Sequence, residues 1–257
     1  MTISLPSLLA AATRGESGFT IDIPAGWLQG RTAYGGLSSA LALAAAKQIE
    51  PDLPPLRSAQ IAFIGPLAGK VTVSATRLRR GRNAAFVQSD IVSDAGLGFR
   101  ATFVFMAALN SAVEMDQTPA AAHAPPAPDA ALCTGPAEFF TSNFNVLDVK
   151  EATGPAEWRR WCRLVERENL DPEIELMAIG DALPPAALKL FDKRLPLSSL
   201  TWTVNLLQPR LVTQQGWWLL HAAADKAQDG YSSQRMRTWN AAGELVAEGV
   251  QGVAIFG

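Results

Sequence analysis

The sequence predicts an α+β protein, with antiparallel strands, few helices and two similar domains in one chain. Three observations carry this. A strand pattern occurs twice, over residues 55–106 and 196–256, and each copy opens on Pro-Leu-x-Ser (Pro55-Leu56-Arg57-Ser58 and Pro196-Leu197-Ser198-Ser199). Each copy reaches a second proline, in Ile64-Gly65-Pro66 and Leu207-Gln208-Pro209, and ends in a hairpin with an Ala-Gly turn, Ala95-Gly96 or Ala242-Gly243. One long Ala- and Leu-rich run holds most of the helix formers, so the strands follow one another as a meander instead of alternating with helices. The repeat is too long for a solenoid, and the junction of the two domains is the first place to look for a site.

Residues 19–23 alternate as a short strand closed by Pro24. Residues 35–49 read as a helix whose side chains are small and apolar on nearly every face, the mark of a helix enclosed by its neighbours. Pro51 and Pro54-Pro55 stop it. Strands are expected at 58–64, 71–78, 84–92 and 98–106, with Gly69, Gly81 and Gly96 in the turns. Residues 111–136, rich in Ala and Pro, read as an extended, poorly packed linker between domains at 1–110 and 137–257. In the second half, 158–165 reads as a strand, though the first turns of a helix fit the same residues. Residues 176–183 form a short helix broken at Pro184-Pro185, and 186–191 resume it. Further strands are expected at 197–207, 217–225, 232–239 and 245–256.

Composition narrows the functions. A net charge of -2 offers no reason to expect nucleic acid or an anionic membrane as a partner. Cys133 and Cys162 are two cysteines only, so no disulfide framework is implied and a reducing, cytoplasmic location is expected. His123 and His221 do not lie at ligand spacing, and no metal centre is expected. There is no basic leader at the start and no apolar run of about 20 residues, so neither a signal peptide nor a membrane span is expected.

Gly36-Leu37-Ser38-Ser39-Ala40 lacks the second glycine of a serine-hydrolase elbow, and His221, behind two tryptophans, reads as packing. No Walker or dinucleotide-binding glycine motif is present. Gln251 falls on the apolar face of its strand with Leu245, Ala247 and Val253, where a carboxamide needs partners. Alternation on residues 199–207 puts Ser199, Thr201, Thr203 and Asn205 on one uncharged polar face, opposite Leu200, Trp202, Val204 and Leu206. That face suits either a shaped pocket or an ordinary strand. Asp181 is the only charge between Glu175 and Lys189, a setting that raises a carboxyl pKa and suits a general base; a helix-end cap is the alternative. Tyr34-Gly35-Gly36 opens the long helix, where backbone N–H groups suit a developing oxyanion, or where glycine simply admits a close neighbour.

Four segments together, Arg31-Thr32-Ala33-Tyr34-Gly35-Gly36, Gly180-Asp181-Ala182-Leu183-Pro184, Leu197-Ser198-Ser199-Leu200-Thr201 and Val250-Gln251-Gly252-Val253, resemble the acyl-CoA thioesterase II family. The resemblance covers nearly the whole chain and implies a double hot-dog fold, two antiparallel sheets each wrapping a central helix. It implies hydrolysis of acyl-CoA by a water held between Asp181, Ser199 or Thr201, and Gln251, with the backbone at Tyr34, Gly35 and Gly36 binding the thioester carbonyl. No cofactor is implied. Arg77, Arg79, Arg80 and Arg82 read as a solvated basic hairpin, with the CoA phosphates as the alternative ligand. A hot-dog hydratase or dehydratase would need a histidine that neither His123 nor His221 supplies in place, and a non-catalytic acyl-CoA binding protein is the third reading.

Fused halves leave sheet edges open, so a homodimer or larger homo-oligomer is expected. Light scattering at micromolar concentration should report at least twice the chain mass, and a monomer throughout would contradict this.

Overall fold

The computed structural model describes residues 3–149, 153–193 and 195–256. In chain order the elements are α1 (Leu5–Ala10), β1 (Thr13–Gly15), β2 (Gly18–Ile23), β3 (Leu28–Gln29), β4 (Thr32–Ala33), α2 (Gly35–Ile49) and β5 (Leu56–Phe63). Then come β6 (Gly69–Arg80), β7 (Ala84–Ser93), β8 (Gly96–Met106), β9 (Phe144–Asp148), β10 (Glu157–Leu164) and α3 (Pro172–Gly180). The chain closes with β11 (Leu197–Leu206), β12 (Trp218–Gln228), β13 (Tyr231–Asn240) and β14 (Leu245–Ile255). None of the described helices is long and apolar enough to cross a membrane.

Twelve strands make one antiparallel sheet, ordered β1-β2-β6-β7-β8-β5-β11-β14-β13-β12-β10-β9. Two separate sheets were expected; β5 and β11 instead pair directly, Thr203 opposite Gln60 and Val204 opposite Ala59, and join the halves. These are the two strands that open on Pro-Leu-x-Ser. Outward from the seam, β8, β7, β6 and β2 on one side match β14, β13, β12 and β10 on the other, so the sequence repeat is a repeat of strand order.

The Ala-rich helix α2 packs against β2, β6, β7 and β8 and against α3. Leu37, Leu41 and Leu43 are fully buried along it, and the alanines between them let strands and a second helix approach from different sides. Helix α3 is shorter. Asp171 caps it by accepting from the Glu173 and Ile174 N–H groups, and 174–180 are all buried. The two helices run antiparallel: Lys47 near the end of α2 bonds Asp171 (2.6 Å) and Glu173 (2.7 Å) at the start of α3. The start of α2 therefore meets the end of α3.

The Ala/Pro segment differs from its reading as poorly packed. It forms no helix or strand, yet the Ala121 N–H donates to the Gly243 carbonyl (2.9 Å) and the Trp239 indole donates to the Pro119 carbonyl (2.7 Å). Ala121 and Leu132 lie on a cluster of Trp161, Trp217, Leu219 and Trp239. Aromatic surface on the second half draws the segment down, which its own composition did not reveal.

Where α2 meets α3, both glycines are sterically required. A Cβ on Gly36 would lie 2.4 Å from the Ala178 carbonyl oxygen and 2.5 Å from the Tyr34 ring, both immobile. Gly36→Ala should therefore cost about 1–3 kcal/mol in urea unfolding. Gly15→Ala, whose nearest contact is 3.7 Å away, should change stability by less than about 0.5 kcal/mol.

Candidate active site

Asp181 is the residue that ends α3, and it points at the first turn of α2. One oxygen, Oδ1, accepts from Gln251 Nε2 at 2.7 Å, and the carboxylate also accepts from the Gly36 N–H. The other oxygen, Oδ2, lies 2.5 Å from where a Gly35 Cβ would be, beside the Phe63 ring. The carboxylate thus supplies the cap that Tyr34, the N-cap residue of α2, does not.

Burial raises the Asp181 carboxyl pKa, the hydrogen bonds from Gln251 and Gly36 pull it part of the way back, and the net result is a value of about 7. The positive end of α2 favours the ionised form, while desolvation and the negative end of α3 oppose it. The balance leaves a carboxyl that exchanges its proton near neutrality. Tyr34 is buried alongside, stacked on Phe140 with centroids 4.2 Å apart, and donates its hydroxyl to the Ala178 carbonyl at 2.7 Å. Desolvation first, then Asp181 and the Cys162 thiol, hold the Tyr34 phenol well above its usual range.

Gln251 lies on the inner face of β14, 2% exposed. Its Oε1 accepts from Gln234 Nε2 at 2.7 Å, and Gln234 Oε1 in turn accepts from the Ala186 N–H at 2.7 Å. Sequence reading missed Gln234. Alternation along β13 puts Gln234 on an inner face with Met236, but it is the strand register, not the sequence, that sets it opposite Gln251.

Ser199 and Thr201 were expected to share a face, and they do not. A β-bulge between them leaves Ser199 opposite the buried Val253 and Thr201 opposite Gly252. Paired residues share a face, so Ser199 joins the side that carries Gln251 and Trp202. Thr201 turns outward, is exposed, and its Oγ1 would lie 3.1 Å from a Gly252 Cβ near Tyr231. Leu200, expected inside, is 40% exposed for the same reason.

The backbone donors also differ from expectation. Tyr34 N–H donates to the Trp27 carbonyl at 2.9 Å, and Gly36 N–H goes to Asp181, so two of the three N–H groups read as oxyanion donors are engaged. His221 bonds Glu157 at 2.8 Å beside Trp239, away from this cluster. Two surface clefts lie near α1, one at Leu5 and Trp27, the other at Leu9 and Asp171, and neither is lined by Asp181.

Two family models match this chain, the acyl-CoA thioesterase N-terminal domain over residues 23–106 and the acyl-CoA thioesterase C-terminal domain over 114–255. The chain belongs to the acyl-CoA thioesterase family. It is a thioester hydrolase. The C-terminal match begins inside the Ala/Pro segment, in line with the packing of that segment on the second half. No curated protein is similar enough in sequence to count as a match. Among solved structures, a hot-dog protein of unknown function from Alicyclobacillus acidocaldarius superposes with a TM-score of 0.83 at 22% identity, covering 96% of each chain. The tesB protein of Mycobacterium avium subs paratuberculosis gives 0.79 at 20% identity, covering 98% of this chain and 99% of that one. The acyl-CoA thioesterase II TesB2 of Mycobacterium marinum gives 0.73 at 17%, covering 95% and 93%. These likenesses establish the hot-dog fold.

The raised carboxyl has a consequence for stability. Unfolded, Asp181 titrates near 4; folded, near 7. The folded state binds this proton more tightly, so its stabilising contribution is complete below about pH 4 and is lost as pH rises to about 7. Between pH 5 and pH 8, unfolding free energies should therefore shift in favour of Asp181→Asn over wild type by roughly 2–3 kcal/mol. A difference that stays constant across that range would contradict the shift.

Proposed function

We propose that the family's thioester hydrolysis is carried out here on acyl-CoA by a water activated by Asp181 and oriented by Gln251 and Ser199. The observation that carries this reading is the buried Asp181 carboxylate, with Oδ1 held by Gln251 and with a proton affinity near neutrality. A base that titrates at the working pH combines a populated ionised form with useful basicity.

In the proposed step, Oδ2 takes a proton from water as the water oxygen bonds to the thioester carbonyl carbon. The C–S bond then breaks, the proton passes from Asp181 to the departing thiolate, and the products are the free acid and CoA. Of the three N–H groups at Tyr34, Gly35 and Gly36, the Gly35 N–H, in the first turn of α2, is assigned to the carbonyl oxygen as negative charge develops there. The bulge at Leu200 favours Ser199 over Thr201 as the hydroxyl partner, because only Ser199 shares the face of Gln251. The fused halves are assigned as domains within residues 1–110 and 137–257, with assembly into a homodimer or larger oligomer.

Steady-state thiol release from a panel of acyl-CoAs tests the assignment. Asp181→Asn should lower kcat by roughly 10²–10⁴ with little change in KM. Ser199→Ala should lose roughly tenfold or more, while Thr201→Ala should stay within about twofold of wild type. Wild-type kcat/KM should rise with pH through an apparent pKa of about 7. Undiminished turnover in Asp181→Asn removes Asp181 from the mechanism. Folded wild-type protein that binds acyl-CoA without releasing thiol supports the binding-protein reading instead.

A further inference from the structure

The two glutamines next to Asp181 form a chain with only one consistent polarity. A backbone N–H can only donate, so the group that Gln234 turns toward Ala186 must be its oxygen. Its NH2 then faces Gln251, whose oxygen accepts it, and the Gln251 NH2 is left to face Asp181. All three bonds are 2.7 Å, and both glutamines are at most 2% exposed, so water does not compete for these groups. An amide reversed at either glutamine would set two donors or two acceptors against each other inside the protein.

We propose that Gln234 is a positioning residue, locked by the Ala186 N–H, that fixes the Gln251 amide so that it offers N–H and never C=O to Asp181. This rests on the hydrolytic reading above and extends it. The anchor is supplied by the turn after Pro184-Pro185, where Ala186 is fully buried. A Gln251 free to turn over would present its oxygen to Asp181 part of the time, which favours the protonated acid and withdraws the base.

Other groups do not offer the same control. Tyr34, at the N-cap of α2, is a phenol kept neutral by burial and by the nearby Asp181, with Cys162 on β10 behind it, and its hydroxyl is committed to Ala178. Glu175 on α3 is paired with Arg167. Arg235 and Arg237 on β13 and Glu248 on β14 alternate with Gln234 and Gln251 and so take the outer face. Lys189, after Pro185, lies over the Trp158 ring.

The test is the pH profile of acyl-CoA hydrolysis for Gln234→Met and Gln234→Glu, each checked for folding by circular dichroism. Methionine keeps length and removes both polar groups; kcat should fall about fivefold or more, KM should change by less than about twofold, and the apparent pKa should move up by about half a unit or more. Burial at this position, where Gln234 is 1% exposed, raises the pKa of an introduced carboxyl. While neutral, the glutamate can accept from Ala186 and donate its O–H to Gln251, so activity on the acid side, near pH 6, should be largely retained. Once ionised it has no donor, and activity should fall toward pH 9 where wild type is level. A methionine variant with wild-type kcat and pKa, or losses by one common factor at every pH in both variants, overturns the proposal. Should wild type itself release no thiol, the hydrolytic reading fails separately, and 13C NMR titration of the Asp181 carboxyl decides the positioning claim. A higher midpoint in Gln234→Met than in wild type supports it, and equal midpoints overturn it.

Discussion

The arrangement depends on one close approach, the first turn of α2 against the last residue of α3. Two consecutive glycines make it possible, because any side chain at Gly36 would strike the Ala178 carbonyl or the Tyr34 ring. The gap they leave is filled by the Asp181 carboxylate, which receives the Gly36 N–H in place of a conventional N-cap side chain. At the far end of the same helix pair, Lys47 bonds Asp171 and Glu173 and fixes how far the helices can slide. A carboxylate placed by backbone contact in this way has little freedom to move. That immobility is what general-base chemistry on a small molecule such as water requires.

The seam between β5 and β11 sets the wider geometry. It turns two repeated strand sets into one sheet, with α2 from the first half and α3 from the second packed together. Asp181, Gln251, Gln234 and Ser199 come from the second half, while Gly35, Gly36 and Phe63 come from the first. Neither half holds the cluster alone, which gives a physical reason for the fusion. The site borrows the dipole of the longer helix and the polar strand residues of the opposite half.

Much of this was legible in the sequence, for identifiable reasons. The boundaries of α2 and the strand pairs β5 to β8 follow from strong local signals: an unbroken Ala-rich run, period-two alternation, and glycine turns. Asp181 and Gln251 stood out because a charge or carboxamide amid apolar neighbours is anomalous wherever it falls. Other features, besides the packing of the Ala/Pro segment, were hidden. The single sheet depends on pairing of strands far apart in the chain, which no local pattern encodes. The bulge at Leu200 shifts alternation by one residue, so a strict period-two reading sends Ser199 and Leu200 to the wrong faces. Gln234 was unremarkable among the polar residues of β13 until register set it against Gln251.

In the proposed mechanism Asp181 and Gln251 act as one unit on the reacting water, and a double-mutant cycle on kcat measures their coupling. If Gln251 works by holding Asp181 and its water, then once Asp181 is replaced by asparagine, removing Gln251 has little left to take away. Asp181→Asn/Gln251→Ala should turn over within about threefold of Asp181→Asn alone, even though Gln251→Ala by itself is clearly impaired. Losses that multiply, so that the double variant is slower by the full product of the single effects, would show two independent contributions and contradict it.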